Sequence, residues 1–147
     1  MSPRREGPGS EDHVTRAFAE WLIAQGWTVS HARAGYDDPD LVAVHSSAGM
    51  LIAEVKGDLG DDNGTSLDIG YGQLLRRMRE APGARYALVV ATKALKAALR
   101  VPEHVRARLG VEIFVVDLDG HVHGGSQYAG AAFDRPLRSD GAPHVKS

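Results

Sequence analysis

The feature that most limits the fold is a pair of apolar segments, LVAVH and MLIAEVKG, separated only by Ser46, Ser47, Ala48 and Gly49. Short apolar runs bounded by turn residues read as strands, and so short a connection joins them as a hairpin. Pairing the arms around Ser47 sets Val44 against Met50, Val42 against Ile52 and Asp40 against Glu54. Strand side chains alternate between two faces, so these six residues and Lys56 share one face. Apolar pairs therefore lead along that face to an acidic pair at the open end of the hairpin.

Two carboxylates directly opposite each other repel and raise each other's pKa unless a positive group lies between them. A divalent cation meets that need, and hard oxygen ligands without a thiolate suit Mg2+ or Mn2+ better than zinc. Lys56, two residues beyond Glu54, is placed to reach a phosphate oxygen or the attacking water. Phosphodiester hydrolysis asks for a metal facing the phosphorus oxygens, a water held in line and a cation that lowers its pKa. The competing reading is a solvated surface hairpin in which Glu54 and Lys56 form a weak exposed pair. Against it stands the Pro39-Asp40 dipeptide, fourteen residues ahead of Glu54 and just before an apolar strand.

Around this hairpin the pattern predicts alternating helices and strands. Residues 1–10 form a flexible lead-in rich in Pro, Gly, Ser and Arg. Ser10 caps a helix over 11–25 whose Val14, Phe18, Trp21 and Leu22 recur at helical spacing. WTVSHARA is a short strand and GYDDPD a turn, with Asp37 and Asp38 as turn residues. Asp58 is assigned the same way, and residues 58–66, polar and glycine-rich, predict a mobile loop. A helix from about residue 69 or 71 to Arg79 follows, ended by Pro82 and Gly83. RYALVVAT and VEIFVVDL read as core strands, with a helix capped by Thr92 and another opened by Pro102 between them. Asp119-Gly120 then turns into HVH, whose His121 and His123 offer a metal pair without a third ligand nearby. The expected fold is α/β, a mixed central sheet flanked by helices. Its domain covers residues 11–127, with a loose C-terminal tail over 128–147.

No cysteine is present, which removes disulfides, thiolate metal sites and cysteine nucleophiles. The net charge of -2 argues against a uniformly basic nucleic-acid coat, though Arg76, Arg77 and Arg79 cluster on one segment. Such a cluster suits phosphate, because each guanidinium donates two parallel hydrogen bonds; an arginine-rich surface helix is the bland alternative. No apolar run approaches a bilayer span and MSPRREGPGSED lacks an apolar signal core, so a cytoplasmic location without a membrane partner is expected.

PDLVAV followed by LIAEVKG resembles the signature of the PD-(D/E)xK nuclease superfamily, which includes restriction enzymes and Holliday-junction resolvases. The resemblance implies a restriction-endonuclease-like α-β-β-β-α-β core. It implies metal ligands at Asp40, Glu54 and the Val55 carbonyl, and a catalytic lysine at Lys56. Many members add a glutamate on the first helix. Glu11 lies in the sector of Val14, Phe18 and Leu22 while Glu20 falls nearly opposite, so Glu11 is the candidate; its other reading is a first-turn carboxylate favoured by the helix dipole. YGQLLRRM resembles the helix of several branches that carry a glutamine beside the metal, which makes Gln73 a candidate positioner of water or substrate. An exposed helix-start glutamine is the alternative. Arg76 or Arg77 would contact phosphate, and Arg77 stands where some exonuclease branches have tyrosine. The implied activity is a Mg2+-dependent nuclease, an endonuclease on DNA, acting as a homodimer because one small domain offers little surface for a specific site. The competing function is a catalytically silent nucleic-acid-binding or complex-assembly module with the same fold.

Overall fold

A computed structural model of the chain describes residues 7–30, 40–78 and 83–124. The expected turn over 35–39, the helix end at Arg79 and Pro82, most of the lead-in and the tail over 128–147 lie outside the described residues.

Helix α1 spans Glu11–Ala24, and the Ser10 hydroxyl caps it by accepting from the His13 N–H at 3.1 Å. Val14, Phe18, Ala19 and Leu22 are buried and Glu20 is exposed, the two sides that the apolar spacing assigned. Strands β1 (Thr28–Ser30), β2 (Leu41–His45) and β3 (Gly49–Lys56) form an antiparallel meander. The hairpin register is the one expected, with Val42 opposite Ile52 and Val44 opposite Met50.

Helix α2, Asn63–Arg77, crosses to β4 (Arg85–Ala91), which runs parallel to β3. Helices α3 (Leu95–Ala98) and α4 (Glu103–Leu109) lead to β5 (Val111–Val116), parallel to β4, and β6 (Val122–Gly124) returns antiparallel. The six strands lie in sequence order as one mixed sheet flanked by helices, so the α-β-β-β-α-β order runs from α1 to β4 and is followed by α3, α4 and two further strands, β5 and β6.

Two local expectations are corrected. Residues 58–66 are not an open loop: Gly60–Asp62 form a 3-10 turn and α2 starts at Asn63. The Asn63 amide oxygen accepts the Leu59 N–H at 2.7 Å and its NH2 donates to Asp58 Oδ1 at 3.1 Å, while Leu67 anchors the first turns in the core. Local side-chain hydrogen bonds and an apolar anchor here outweigh the glycines that signalled a loop. Thr92 does not cap the following helix; its hydroxyl donates to the Val116 carbonyl at 3.4 Å instead.

Alternation along β3 divides the core. Leu51, Ala53 and Val55 join α1, Ala87, Val89 and Phe114 on one side of the sheet. Ile52 joins Leu67, Tyr71, Leu74, Leu88 and Leu95 on the other. The Tyr71 hydroxyl ties α2 to α3 by donating to the Ala98 carbonyl at 2.5 Å, and burial pushes its pKa up to about 12. Glu54, two residues beyond Ile52, belongs by strand period to the α2 side.

Candidate active site

The site forms where β3 runs out. Because β3, β4 and β5 are parallel, their carboxyl ends at Lys56, Ala91 and Val116 share one edge of the sheet. Open α/β sheets bind ligands at that edge. The N-terminus of α1 closes it: the Asp58 N–H donates to the Gly9 carbonyl at 2.7 Å, and a Cβ on Gly57 would lie 2.3 Å from the Glu11 nitrogen. Glu11 and Glu20 are both exposed, but Glu11 has its main chain against the residue that follows Lys56.

Asp40 sits just ahead of β2, and its Oδ2 accepts the Val55 N–H at 2.9 Å. That bond continues the hairpin register past its last ladder pair, Leu41 with Ala53, and brings the Asp40 and Glu54 carboxyls into hydrogen-bond contact. Glu54 is 1% exposed. Its carboxyl is pushed from 4.5 up to about 8, first by burial and then by the charge and hydrogen bond of Asp40, with Arg77 and Lys56 pulling the other way.

Helix α2 covers this face with one stripe. A Cβ on Gly70 would lie 3.0 Å from Lys56 Cε, so the bare glycine leaves a channel for the lysine stem. Seven residues on, Arg77 Nη2 lies 3.2 Å from Glu54 Oε1. Gln73, three residues after Gly70 and four before Arg77, falls on the same helix face between the two contacts. It is 5% exposed, and its amide oxygen is buried without a hydrogen-bond partner among the described residues. Buried polar atoms are nearly always paired, so an orphan on the helix face that covers Glu54 and Lys56 indicates a missing donor or cation. Gln73 is therefore neither exposed nor at a helix start. Arg76 is exposed and Arg77 is buried, so the adjacent arginines have different surroundings.

Asp40, Glu54, Lys56, Gln73 and Arg77 are thus gathered at one place, with the main chain of Val55 and Glu11 beside it. The donors are carboxyl and amide oxygens, a set that fits a hard divalent cation. A metal held by these residues would need Glu54 ionised. Its affinity is expected to rise with pH through about 8 and each ion to release a proton, which calorimetry in buffers of different ionisation enthalpy measures. The metal-free fold responds oppositely. Between about 4.5 and 8 the folded state holds a proton that the unfolded chain has released, so stability falls as pH rises across that window. An Mg2+ affinity that stays flat from about pH 6 to about pH 9 would count against Glu54 as a ligand.

A second group of ligand-type atoms lies on the turn between β5 and β6. Asp117, Asp119 and His121 each offer one atom within 4.8 Å of the others, and such a group could hold a metal ion. His123 is buried, with Nε2 3.0 Å from Asp117 Oδ2, so both histidines flank one carboxylate. Asp117 Oδ1 already accepts the N–H groups of Asp119 and His121. Burial works against the Asp117 charge, but these hydrogen bonds together hold its carboxyl below the usual range. Asp58, read as a turn residue, accepts the Gly60 N–H at 2.9 Å.

No protein-family model matches the chain, and no curated protein matches it significantly. Its fold is similar to that of solved structures. A XisH family protein from Nostoc punctiforme superposes with a TM-score of 0.54 at 16% identity, over 74% of this chain and 93% of that one. An fdxN element excision controlling factor protein from Anabaena variabilis gives 0.54 at 15% identity, over 74% and 92%. At such identity the likeness shows a shared fold. None of the described helices is long and apolar enough to cross a membrane.

Proposed function

We propose that the chain is a metal-dependent nuclease of the PD-(D/E)xK kind, cleaving phosphodiester bonds of DNA as an endonuclease. The observation that carries this reading is the hydrogen-bonded Asp40–Glu54 pair at the carboxyl end of β3, with Lys56 beside it under a glycine of α2. Asp40, Glu54 and the Val55 carbonyl would hold Mg2+ or Mn2+, with Glu11 at the mouth of the site. When bound, the ion supplies charge stabilisation to the phosphorus oxygens.

The residues of the chain do the rest. Lys56 places an ammonium against the same phosphate and favours deprotonation of the attacking water. Gln73 fixes that water through its buried amide oxygen, which has no hydrogen-bond partner among the described residues. Arg76, exposed on α2, contacts the neighbouring backbone phosphate. The structural neighbour named for element excision is in keeping with a DNA substrate. Two copies acting together would supply the contact surface that one small domain lacks. The sheltered Glu54, 1% exposed and paired with Arg77, favours a second reading, a nucleic-acid-binding module that does not cleave.

Incubation of the protein with plasmid, linear duplex, single-stranded and four-way-junction DNA in Mg2+ or Mn2+ separates the two. Products that disappear with EDTA establish the nuclease. Salt-sensitive binding without products in either metal establishes the silent module.

A further inference from the structure

Arg77 is the last residue of α2, where the negative end of the helix dipole favours a cation. Its side chain turns inward: Nη2 lies 3.2 Å from Glu54 Oε1, and the two side chains are 5% and 1% exposed. Arginine is expensive to bury unless it meets a compensating charge, and Glu54 supplies one. Fully ionised, Asp40 and Glu54 carry two negative charges, and Lys56 and Arg77 carry two positive ones, all within the contacts described above. With both carboxyls ionised, above about pH 8, the pocket is balanced with no ion in it. A divalent cation entering between the carboxyls would bring two further charges into a place where water screens little.

We propose that Arg77 is the resident counterion of the acidic pair: it balances Glu54 while no metal is bound, and an entering cation takes over that role. Arginine and metal then compete for one carboxylate. This rests on the reading that Asp40 and Glu54 hold the metal. It explains how a chain can keep a buried glutamate folded before it is loaded. It also gives Arg77 a task distinct from that of the exposed Arg76.

The experiment is the thermal melting and Mg2+ calorimetry of the whole chain as wild type, Arg77→Met and Arg77→Lys. In EDTA at about pH 9, where Glu54 is ionised, Arg77→Met should melt about 10 °C below wild type, since it strands Glu54. Mg2+ should recover most of that loss while moving wild type by far less, because the ion supplies the missing charge. The same antagonism makes Mg2+ bind about tenfold more tightly to Arg77→Met than to wild type. Arg77→Lys keeps the charge and should show the small wild-type response. If Arg77→Met stays equally unstable with Mg2+, or fails to fold in its presence, while wild type binds the ion, Arg77 acts only by packing and the proposal is overturned. If neither protein binds Mg2+, the metal reading of Asp40 and Glu54 falls and takes this inference with it.

Discussion

Lys56→Met is expected to lower Mg2+-dependent DNA cleavage by about 10^3-fold while leaving the fold intact. The stem of Lys56 runs past Gly70, where a Cβ would stand 3.0 Å from Cε and 3.5 Å from Cγ. Methionine keeps that stem and removes only the ammonium, so packing against Gly70 of α2 survives. Asp40→Asn should cost at least as much, because it removes a charge from the proposed metal ligands. Its side-chain oxygen still accepts the Val55 N–H, which alanine would leave unpaired at a cost of about 1–3 kcal/mol. Asparagine therefore separates chemistry from stability better than alanine does. Initial rates of plasmid nicking, with denaturant melts of the same samples, check both variants. Wild-type rates in either would remove the site from this edge of the sheet.

The hairpin was legible in the sequence because its signal is strictly two-fold. Apolar partners and a short turn around Ser47 admit one register, and that register carries Asp40 to Glu54 without knowledge of the rest of the sheet. Helix α2 was harder. The polar, glycine-rich stretch over 58–66 read as a loop, and the start of the helix was placed several residues late. At Gly70 the missing side chain makes room for Lys56, a tertiary reason that no local rule detects. The misplaced start hid the phase of the helix. With α2 beginning at Asn63, Gly70, Gln73 and Arg77 form one inward stripe, and Arg76 points away. Two adjacent arginines in QLLRR look alike until that phase is known. The group at Asp117 was hidden for another reason. The Asp119-Gly120 turn was visible, but the hydrogen bonds that bring both histidines to Asp117 depend on β6 pairing with β5.

Gly57→Ala is expected to be strongly damaging, lowering stability by about 3 kcal/mol or more. A Cβ there would stand 2.3 Å from the Glu11 nitrogen, 2.7 Å from the Ser10 carbonyl carbon and 3.0 Å from the Glu11 Cα. All three are main-chain atoms, so no rotamer change relieves the clash and α1 must move off the end of β3. That shift breaks the Asp58 N–H to Gly9 carbonyl bond of 2.7 Å and loosens the Ser10 cap. For a domain of this size the midpoint of thermal unfolding should fall by about 10 °C. Gly72→Ala is the matched control. Nothing lies within 4 Å of its added Cβ, and it is exposed within α2. Helix propensity there predicts a gain of up to about 1 kcal/mol. The same added methyl thus has opposite signs at two glycines fifteen residues apart. Urea melts of the pair test this, and a Gly57→Ala protein as stable as wild type would mean that the α1 N-terminus does not pack on β3 as described. Because Glu11 moves with that helix end, Gly57→Ala should also weaken Mg2+ binding if Glu11 contributes to the site, whereas Gly72→Ala should leave it unchanged.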